Sequence, residues 1–388
     1  KCIVHGAGGT LLQHWKEHAL HGDAARGERL LQYTSVGWMM WHWALGALAA
    51  GAGLVLYDGS PFRPDALALI RVASRLSVRM LGVSAKWVQV LQGTPGLFPH
   101  GVPLPDLRLL YSTGAPLAPA GFGFACRQIA PGVRVASITG GTDILSLFAG
   151  GDPTRPVHAG EIQGPCLGMD VGIVDGGELV CRAAFPAMPV FFWADGPPVP
   201  DGSARPPGPQ YRAAYFERYP GVWHHGDLVR ATPRGGLVML GRSDGVLNPA
   251  GVRFGSAELY AVLDARFSAV VADALAVGVR VPPAGDEAVV LFVVPAQATG
   301  SAEEDALRRD ICAAIRSALS PRHVPGALVF APAVPHTPNG KRMEVAVKRI
   351  LNGLPEGAAA SAAADPSVLD FYRRIVVSDL FPSPPACK

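Results

Sequence analysis

Charged residues are scarce in this chain: Asp, Glu, Lys and Arg make up 17% of its 388 residues, below the roughly 25% of an ordinary globular protein. The formal net charge is only +3, so no strong basic field marks a nucleic-acid partner. Cysteine is sparse too. Six are scattered at positions 2, 126, 166, 181, 312 and 387 without a Cys-x-x-Cys pair, which fits reduced thiols in a cytosolic protein better than a disulfide framework. Long apolar runs are nearly absent. Trp38 to Tyr57 approaches a membrane span, with His42 its only strongly polar side chain, but Gly51-Ala52-Gly53 breaks it. It reads instead as a buried helix up to Ala50, a turn and a core strand from Leu54 to Tyr57, and no membrane span is expected. No secretory signal is visible, and residue 1 is Lys rather than Met.

What is abundant is apolar side chain, glycine and proline. At 49% hydrophobic residues the chain is long enough for two domains with substantial cores. Part of the excess of 46 Gly and 36 Pro falls in Ala194 to Pro209, which reads as a surface excursion. Elsewhere strand and helix alternate. Strands are predicted at Leu54 to Tyr57, Val78 to Val83, Leu107 to Ser112 and Val133 to Ile138, with helices at Asp65 to Leu76 and Ala85 to Leu91. That alternation predicts a parallel α/β sheet covered on both faces, with ligands at the carboxyl ends of its strands. Upstream, a helix carries Leu11, Leu12, Trp15 and Ala19 on its apolar face. His14 and His18 form its polar face rather than a metal pair, because Trp15 stands where the metalloprotease motif requires Glu. Beyond residue 255, a helix from Ser256 to Asp264, a strand from Ala288 to Val294 and an amphipathic helix from Glu303 to Leu319 predict a second, compact α/β domain.

The chemistry concentrates in four places. Leu237 to Leu240 read as a strand that runs into Gly241, Gly245, Gly251 and Gly255 interspersed with Arg242, Asp244 and Arg253; glycines let backbone approach a ligand, and guanidinium groups suit phosphate oxygens. Gly241-x-Ser243-x-Gly245 also fits a hydrolase nucleophile elbow, but Pro249, Gly251 and Gly255 oppose the helix that motif needs. Two predicted strands end in loops of small residues, Gly114-Ala115-Pro116 and Thr139-Gly140-Gly141-Thr142-Asp143. Asp227, in Gly226-Asp227, is placed at the tip of a turn before another strand, where a carboxylate could accept two hydrogen bonds. Lys341, in Pro338-Asn339-Gly340-Lys341, presents one cation on a loop tip.

Together these motifs resemble the adenylate-forming acyl-CoA synthetases, whose two domains swivel about a hinge like Gly241 to Gly245, with Asn248, Gly251, Arg253 and Glu258 at the family's spacings. The resemblance implies the adenylate-forming enzyme fold: α/β, part of a large domain with mixed and parallel sheets over residues 1–243, a small carboxyl-terminal α/β domain over 244–354, and a tail over 355–388. It implies that Gly114, Ala115 and Pro116 line the adenine, Gly141 and Thr142 approach the α-phosphate, Asp143 holds Mg²⁺ and Asp227 binds the ribose. Arg242, Arg253 and Lys341 would neutralise phosphate charge, Gly251 would face the pantetheine of coenzyme A, and Arg316 its phosphates. Asp244 would be the swivel point. Gly140, where acetate-specific relatives carry a tryptophan, would leave room in the acyl pocket. Longer motifs, Val36 to Trp41, Tyr57 to Pro61, Gly160 to Gln163, Asn248 to Gly255 and Arg322 to Pro325, extend the resemblance from Lys1 to about Asn352. Within the family they point to acetoacetate as the acid, with ATP, Mg²⁺ and coenzyme A.

The family's phosphate loop would stand just before Cys2. The resemblance therefore implies that this loop and the amino-terminal half of the large domain lie outside these residues, leaving apolar strands such as Leu54 to Tyr57 and Val78 to Val83 uncovered. On that reading the segment from about Gly245 to Asn352 folds by itself. Two readings compete: a non-catalytic remnant acting as an interaction module, and a related short- or medium-chain acyl-CoA synthetase.

Overall fold

A computed structural model describes residues 2–94, 96–97, 102–195, 207–245, 247, 249, 254–281, 286–338, 340–356 and 360–381, with the side chains of Asp244 and Asp286 outside that description. The chain divides into two compact units, Lys1–Met239 and Leu240–Lys388.

The first unit is built on a five-stranded, wholly parallel sheet in the order Gly53–Leu54, Arg29–Gln32, Met80–Ser84, Leu109–Thr113, Arg134–Ser137. Its central strands read as apolar runs because both faces are buried. Met80 and Leu109 enter one core while Leu81, Val83 and Leu110 enter the other. Val78 and Val83, each 1% exposed, are therefore fully covered within this chain, contrary to the expectation that they await a missing segment. The Leu54 to Tyr57 strand is also corrected. Only Gly53–Leu54 pairs, at the sheet edge, and Leu56 stays 68% exposed. The neighbouring strand Arg29–Gln32 escaped sequence reading because two leucines between polar residues make too short a pattern. The broken apolar run behaves as expected: a helix Met39–Leu45, a 3-10 turn Gly46–Ala50, then Gly51 at φ +79, a conformation glycine adopts without strain. Among the described residues no helix is long and apolar enough to cross a membrane, and Cys2, Cys126, Cys166, Cys181 and Cys312 are free thiols.

The helix Ala7–Lys16, continued by a π turn Glu17–His21, is inverted relative to its apolar pattern. Leu11, Leu12 and Trp15 are 54%, 55% and 41% exposed, whereas Gln13, His14, Glu17 and His18 are buried. The reason lies in what it packs against. Its buried polar side chains pair with backbone groups of neighbouring segments, as buried polar atoms require. His18 Nε2 donates to the Trp43 carbonyl (2.7 Å), His21 Nδ1 to Gly151 (2.7 Å) and Lys16 Nζ to Leu167 (2.7 Å), while the Leu167 amide donates to His21 Nε2 (2.9 Å).

The second unit pairs Val271–Val281 antiparallel with Asp286–Pro295, and the latter parallel with Ala327–Phe330. Alternate residues face opposite cores: Val289, Leu291 and Val293 meet the helices Ser256–Arg266 and Ser301–Ala318, while Val290 and Phe292 meet Glu344–Leu351 and Leu369–Arg373. The segment expected as a tail is thus part of the core. Leu369 and Tyr372 are 1% and 0% exposed, and Tyr372 Oη donates to the Ala333 carbonyl at 2.8 Å. A piece ending at Asn352 would leave this face open.

Two outcomes follow. Tyr372→Ala should lower the unfolding free energy of the second unit by about 3 kcal/mol or more, the usual cost of emptying a buried aromatic site; a loss under ~1 kcal/mol in denaturant melts would contradict its place in the core. Burial pushes His18 from 6.5 down to about 3. A depressed value means its contribution is complete above pH 6.5 and is lost as pH falls toward 3, by up to about 1.4 kcal/mol per unit. His18→Gln, which keeps an N–H donor, should flatten the stability slope between pH 6 and 4 by about that amount; an unchanged slope would place the acid sensitivity elsewhere.

Candidate active site

The parallel sheet brings two of the predicted loops together. Ser112 pairs with Ser137 at the carboxyl ends of adjacent strands, and the Ile138 amide donates to the Ser112 carbonyl at 3.0 Å. Gly114, at φ +83, starts the exposed turn Gly114 to Pro116 on one strand end. On the other, Thr139–Gly141 folds back on Ser146–Gly150 as a short antiparallel hairpin with a register slip between Thr139 and Gly140. Thr142 is exposed and Asp143 half-buried at its turn.

Gly140 needs correction as a pocket former. A Cβ there would lie 2.0 Å from the Ser146 carbonyl oxygen and 2.8 Å from Leu147 Cα, so its missing side chain serves close approach of the two hairpin arms, and a tryptophan could not be accommodated without moving backbone. Gly141 is tight for a different reason. Its Cβ would stand 3.3 Å from His225 Nε2, which places the His225 ring directly against the candidate nucleotide turn.

Asp227 is not at a turn tip. It lies inside the strand Trp223–Ala231, at a bulge where the register with Glu178–Cys181 slips and Gly226 adopts φ +82. Bulges re-aim side chains, and this one points Asp227 toward the buried His225, with Nε2 and Oδ2 3.6 Å apart. His225 thus stands between Gly141 and Asp227 and is itself buried. Its ring stands edge-on to Phe148, centroids 4.7 Å apart.

Tyr215 carried no sequence signal at all. It ends the helix Pro209–Tyr215, whose first turn is capped by Asp195 accepting from the Gln210 and Tyr211 amides at 2.9 and 3.0 Å. Tyr215 stacks on Trp223 at 3.8 Å and donates its hydroxyl to Asp143 Oδ1 at 2.5 Å. Burial and the Asp143 carboxylate push its phenol well above the ordinary range, so the hydroxyl remains a donor. Only its position just past a Pro/Gly-rich stretch hid it. Among the described residues no group of three or more His, Cys, Asp and Glu could hold a metal. One carboxylate, Asp143, is a donor set that suits Mg²⁺, which keeps waters and takes substrate phosphate oxygens rather than an all-protein cage.

In the second unit, Arg242 closes the strand Leu237–Arg242, and Ser243–Gly245 form one 3-10 turn. Among the described residues the next α-helix begins at Ser256, eleven residues beyond Gly245, so no described α-helix directly follows the strand and turn as a nucleophile elbow requires. Glu258 of the motif caps that helix, accepting from the Gly255 amide at 3.1 Å. Glu344, which sequence reading passed over, accepts from Ser256 Oγ and Tyr260 Oη at 2.7 and 2.6 Å. Lys341 is exposed beyond a tight turn in which Gly340, at φ +76, donates to the Thr337 carbonyl at 2.8 Å. The base of that turn is pinned by Asp273, which accepts from Arg342 Nη2 at 2.9 Å and faces His336 Nε2 at 3.2 Å. Arg316 is exposed on the helix Ser301–Ala318. Asn248, Gly251, Arg253 and Asn339, with the Asp244 side chain, lie outside the described residues.

Comparison with known proteins agrees with this layout. Residues 267–341 match the AMP-binding enzyme C-terminal domain. The chain is 47% identical over 382 residues to an acetoacetyl-coenzyme A synthetase of Rhizobium meliloti, covering 96% of this chain and 56% of that protein. It is 44% identical over 391 residues to a malonamoyl-CoA synthetase of Penicillium aethiopicum, covering 93% and 51% respectively. The solved acetoacetyl-CoA synthetase from Streptomyces lividans superposes with a TM-score of 0.83 at 39% identity, over 96% of this chain and 56% of that one. The chain spans about half the length of the curated relatives it matches. The parallel sheet and small α/β unit, together with these matches, show that the chain belongs to the AMP-binding, adenylate-forming enzymes, as a homologue of the acetoacetyl-CoA synthetases.

Proposed function

We propose that this chain carries much of an enzyme that joins acetoacetate to coenzyme A at the expense of ATP, in the cytosol. The observation that supports this best is that the strands leading into Gly114 to Pro116 and Thr139 to Asp143 are adjacent, with His225 between Gly141 and Asp227, in a chain 47% identical to an acetoacetyl-coenzyme A synthetase. In the first half-reaction a carboxylate oxygen attacks the α-phosphorus and the bond to pyrophosphate breaks. In the second, the thiolate sulfur attacks the acyl carbon, the bond to AMP oxygen breaks, and the thioester forms. A free carboxylate cannot do the second step directly, since its leaving group would be oxide.

The roles are those the family resemblance implies, and the donor types present suit them. Asp227 accepts from both ribose hydroxyls, the Gly114 to Pro116 backbone lies along the adenine, and the exposed Thr142 hydroxyl donates to an α-phosphate oxygen. Mg²⁺, held by Asp143 with waters and phosphate oxygens, would draw off phosphate charge. Lys341 and Arg242 supply fixed positive charge where the pentavalent phosphorus develops its negative one, and Arg253 is assigned the same role. Gly251 passes the pantetheine arm, Arg316 meets the phosphates of coenzyme A, and Asp244 is the point about which the chain changes conformation between the two half-reactions.

The acetoacetyl and malonamoyl groups named for the two relatives share one feature, a second carbonyl two carbons from the acyl carbon. We take the substrate class to be short acids of that kind. A pyrophosphate-release screen over acetoacetate, malonamate, acetate and butyrate should rank the first two highest; preference for acetate or butyrate would favour a different short-chain synthetase. Absence of ATP binding by isothermal titration would favour the non-catalytic reading. In an active enzyme, Lys341→Ala should slow adenylation by about a hundredfold or more, as loss of one transition-state donor does elsewhere, while thioester formation from preformed acetoacetyl-adenylate changes little. Equal losses in both half-reactions would remove Lys341 from the role assigned.

A further inference from the structure

The turn that carries Thr142 and Asp143 is poorly secured by its own hairpin. One arm, Thr139–Gly141, has three residues, its register slips within them, and the turn ends at Leu145 in the left-handed region at φ +54. A non-glycine residue stays in such a conformation only where its surroundings over-determine it. At the Leu145 end of the turn, part of those surroundings is one helix. His14 Nε2 donates to the Leu145 carbonyl at 2.6 Å, and Glu17 Oε1 accepts from the Leu147 amide at 3.1 Å. These contacts bracket Ser146, where the turn re-enters the sheet. His14 and Glu17, three apart, share one helix face.

Both side chains are themselves fixed. Glu17, with 0% side-chain exposure, also accepts from Gln13 Nε2 at 2.7 Å and from Trp43 Nε1 at 2.8 Å. His14 is wedged against Gly46, where a Cβ would lie 2.3 Å from the His14 Cβ. Simple packing does not account for this face. The helix has Leu11, Leu12 and Trp15 available for burial and leaves them exposed, while it buries a carboxyl group that an apolar residue could replace without desolvation cost. What the polar residues provide is direction: one acceptor and one donor at fixed points on the strand that leaves the turn.

We propose that His14 and Glu17 are positioning residues that hold Thr142 and Asp143 in their nucleotide-binding aim before the nucleotide arrives. This rests on the reading above that the turn faces a nucleotide, and the test separates the two.

In the 388-residue chain, Glu17→Met keeps roughly the volume and removes the acceptor from all three donors, the Leu147 amide included. Amide hydrogen exchange at Leu147, measured without nucleotide, should quicken about tenfold or more, as expected when a buried hydrogen bond is broken. The dissociation constant for AMP, by calorimetry, should rise by a similar factor, with exchange in the unit Leu240–Lys388 unchanged. His14→Leu should do the same, whereas His14→Gln, whose amide can donate to the Leu145 carbonyl, should restore both readouts to within about threefold of the parent. Unchanged Leu147 exchange and AMP affinity in Glu17→Met and His14→Leu would overturn the proposal. So would a uniform rise in exchange across Lys1–Met239 that His14→Gln does not rescue. A parent chain that binds no AMP would overturn the nucleotide reading instead, and the exchange data alone would then decide whether the two residues hold the turn.

Discussion

Three donors from three places converge on one buried carboxyl group. Gln13 on its own helix, Trp43 on the helix Met39–Leu45 and the Leu147 amide on the hairpin strand all point at Glu17. Burial drives its carboxyl above the ordinary range, while Lys16 and these donors pull the other way. Such a group is tolerable only with its partners in place, because a buried polar atom without one carries the full desolvation penalty. The constraint runs outward. It sets the helix against the hairpin, the hairpin against the carboxyl end of Arg134–Ser137, and thereby the candidate turn against the strand Leu109–Thr113 beside it. The inward polar face of the first helix meets that requirement.

A second set of restraints fixes Asp143 and Asp227 from the opposite side. Tyr215, stacked on Trp223, reaches Asp143, and two residues after Trp223 the His225 ring stands between Gly141 and Asp227. One strand, Trp223–Ala231, therefore serves both carboxylates. Its bulge at Gly226 is what allows His225 and Asp227 to approach each other from nearly adjacent positions in sequence. The aromatic cluster of Tyr211, Tyr215, Phe192 and Trp223 gives this arrangement a stiff floor, since offset and edge-on ring contacts favour particular orientations.

The parts legible in the sequence were those whose signal is local. Strands Met80–Ser84, Leu109–Thr113 and Arg134–Ser137 announce themselves because burial on both faces demands apolar runs, and the loops after them because small residues and acids at strand ends have few other uses. The parts that were not legible depend on distant partners. An apolar stripe says which face can be buried, but Leu11, Leu12 and Trp15 lost to polar side chains that pair with backbone groups far along the chain. Asp227 looked like a turn residue because Gly226 precedes it, yet a left-handed glycine inside a strand makes a bulge just as readily. Gly140 was read for the space it leaves in a pocket, and the Ser146 carbonyl already fills that space. Tyr372, in a segment rich in alanine and proline, became core only because Phe292 and Ala333 present it with a ring contact and a carbonyl.

The small unit solves a different physical problem. On the role proposed for Lys341, a cation that is to meet phosphate must be solvated and reachable, yet a side chain on a loose loop would scatter its charge over a large volume. The turn before Lys341 reconciles the two. Lys341 itself is exposed, while the next residue, Arg342, is bonded to Asp273 and lies over the Tyr260 ring at 4.3 Å. Tyr260 in turn donates to Glu344, which also receives Ser256. The chain leaving Lys341 is thus fastened to the start of the helix Ser256–Arg266 through aromatic contact and short hydrogen bonds, while the ammonium group stays in water. A buried lysine would have met the cost of desolvation in every molecule at every moment; an exposed one on an anchored base meets it only when the partner charge is present to offset it.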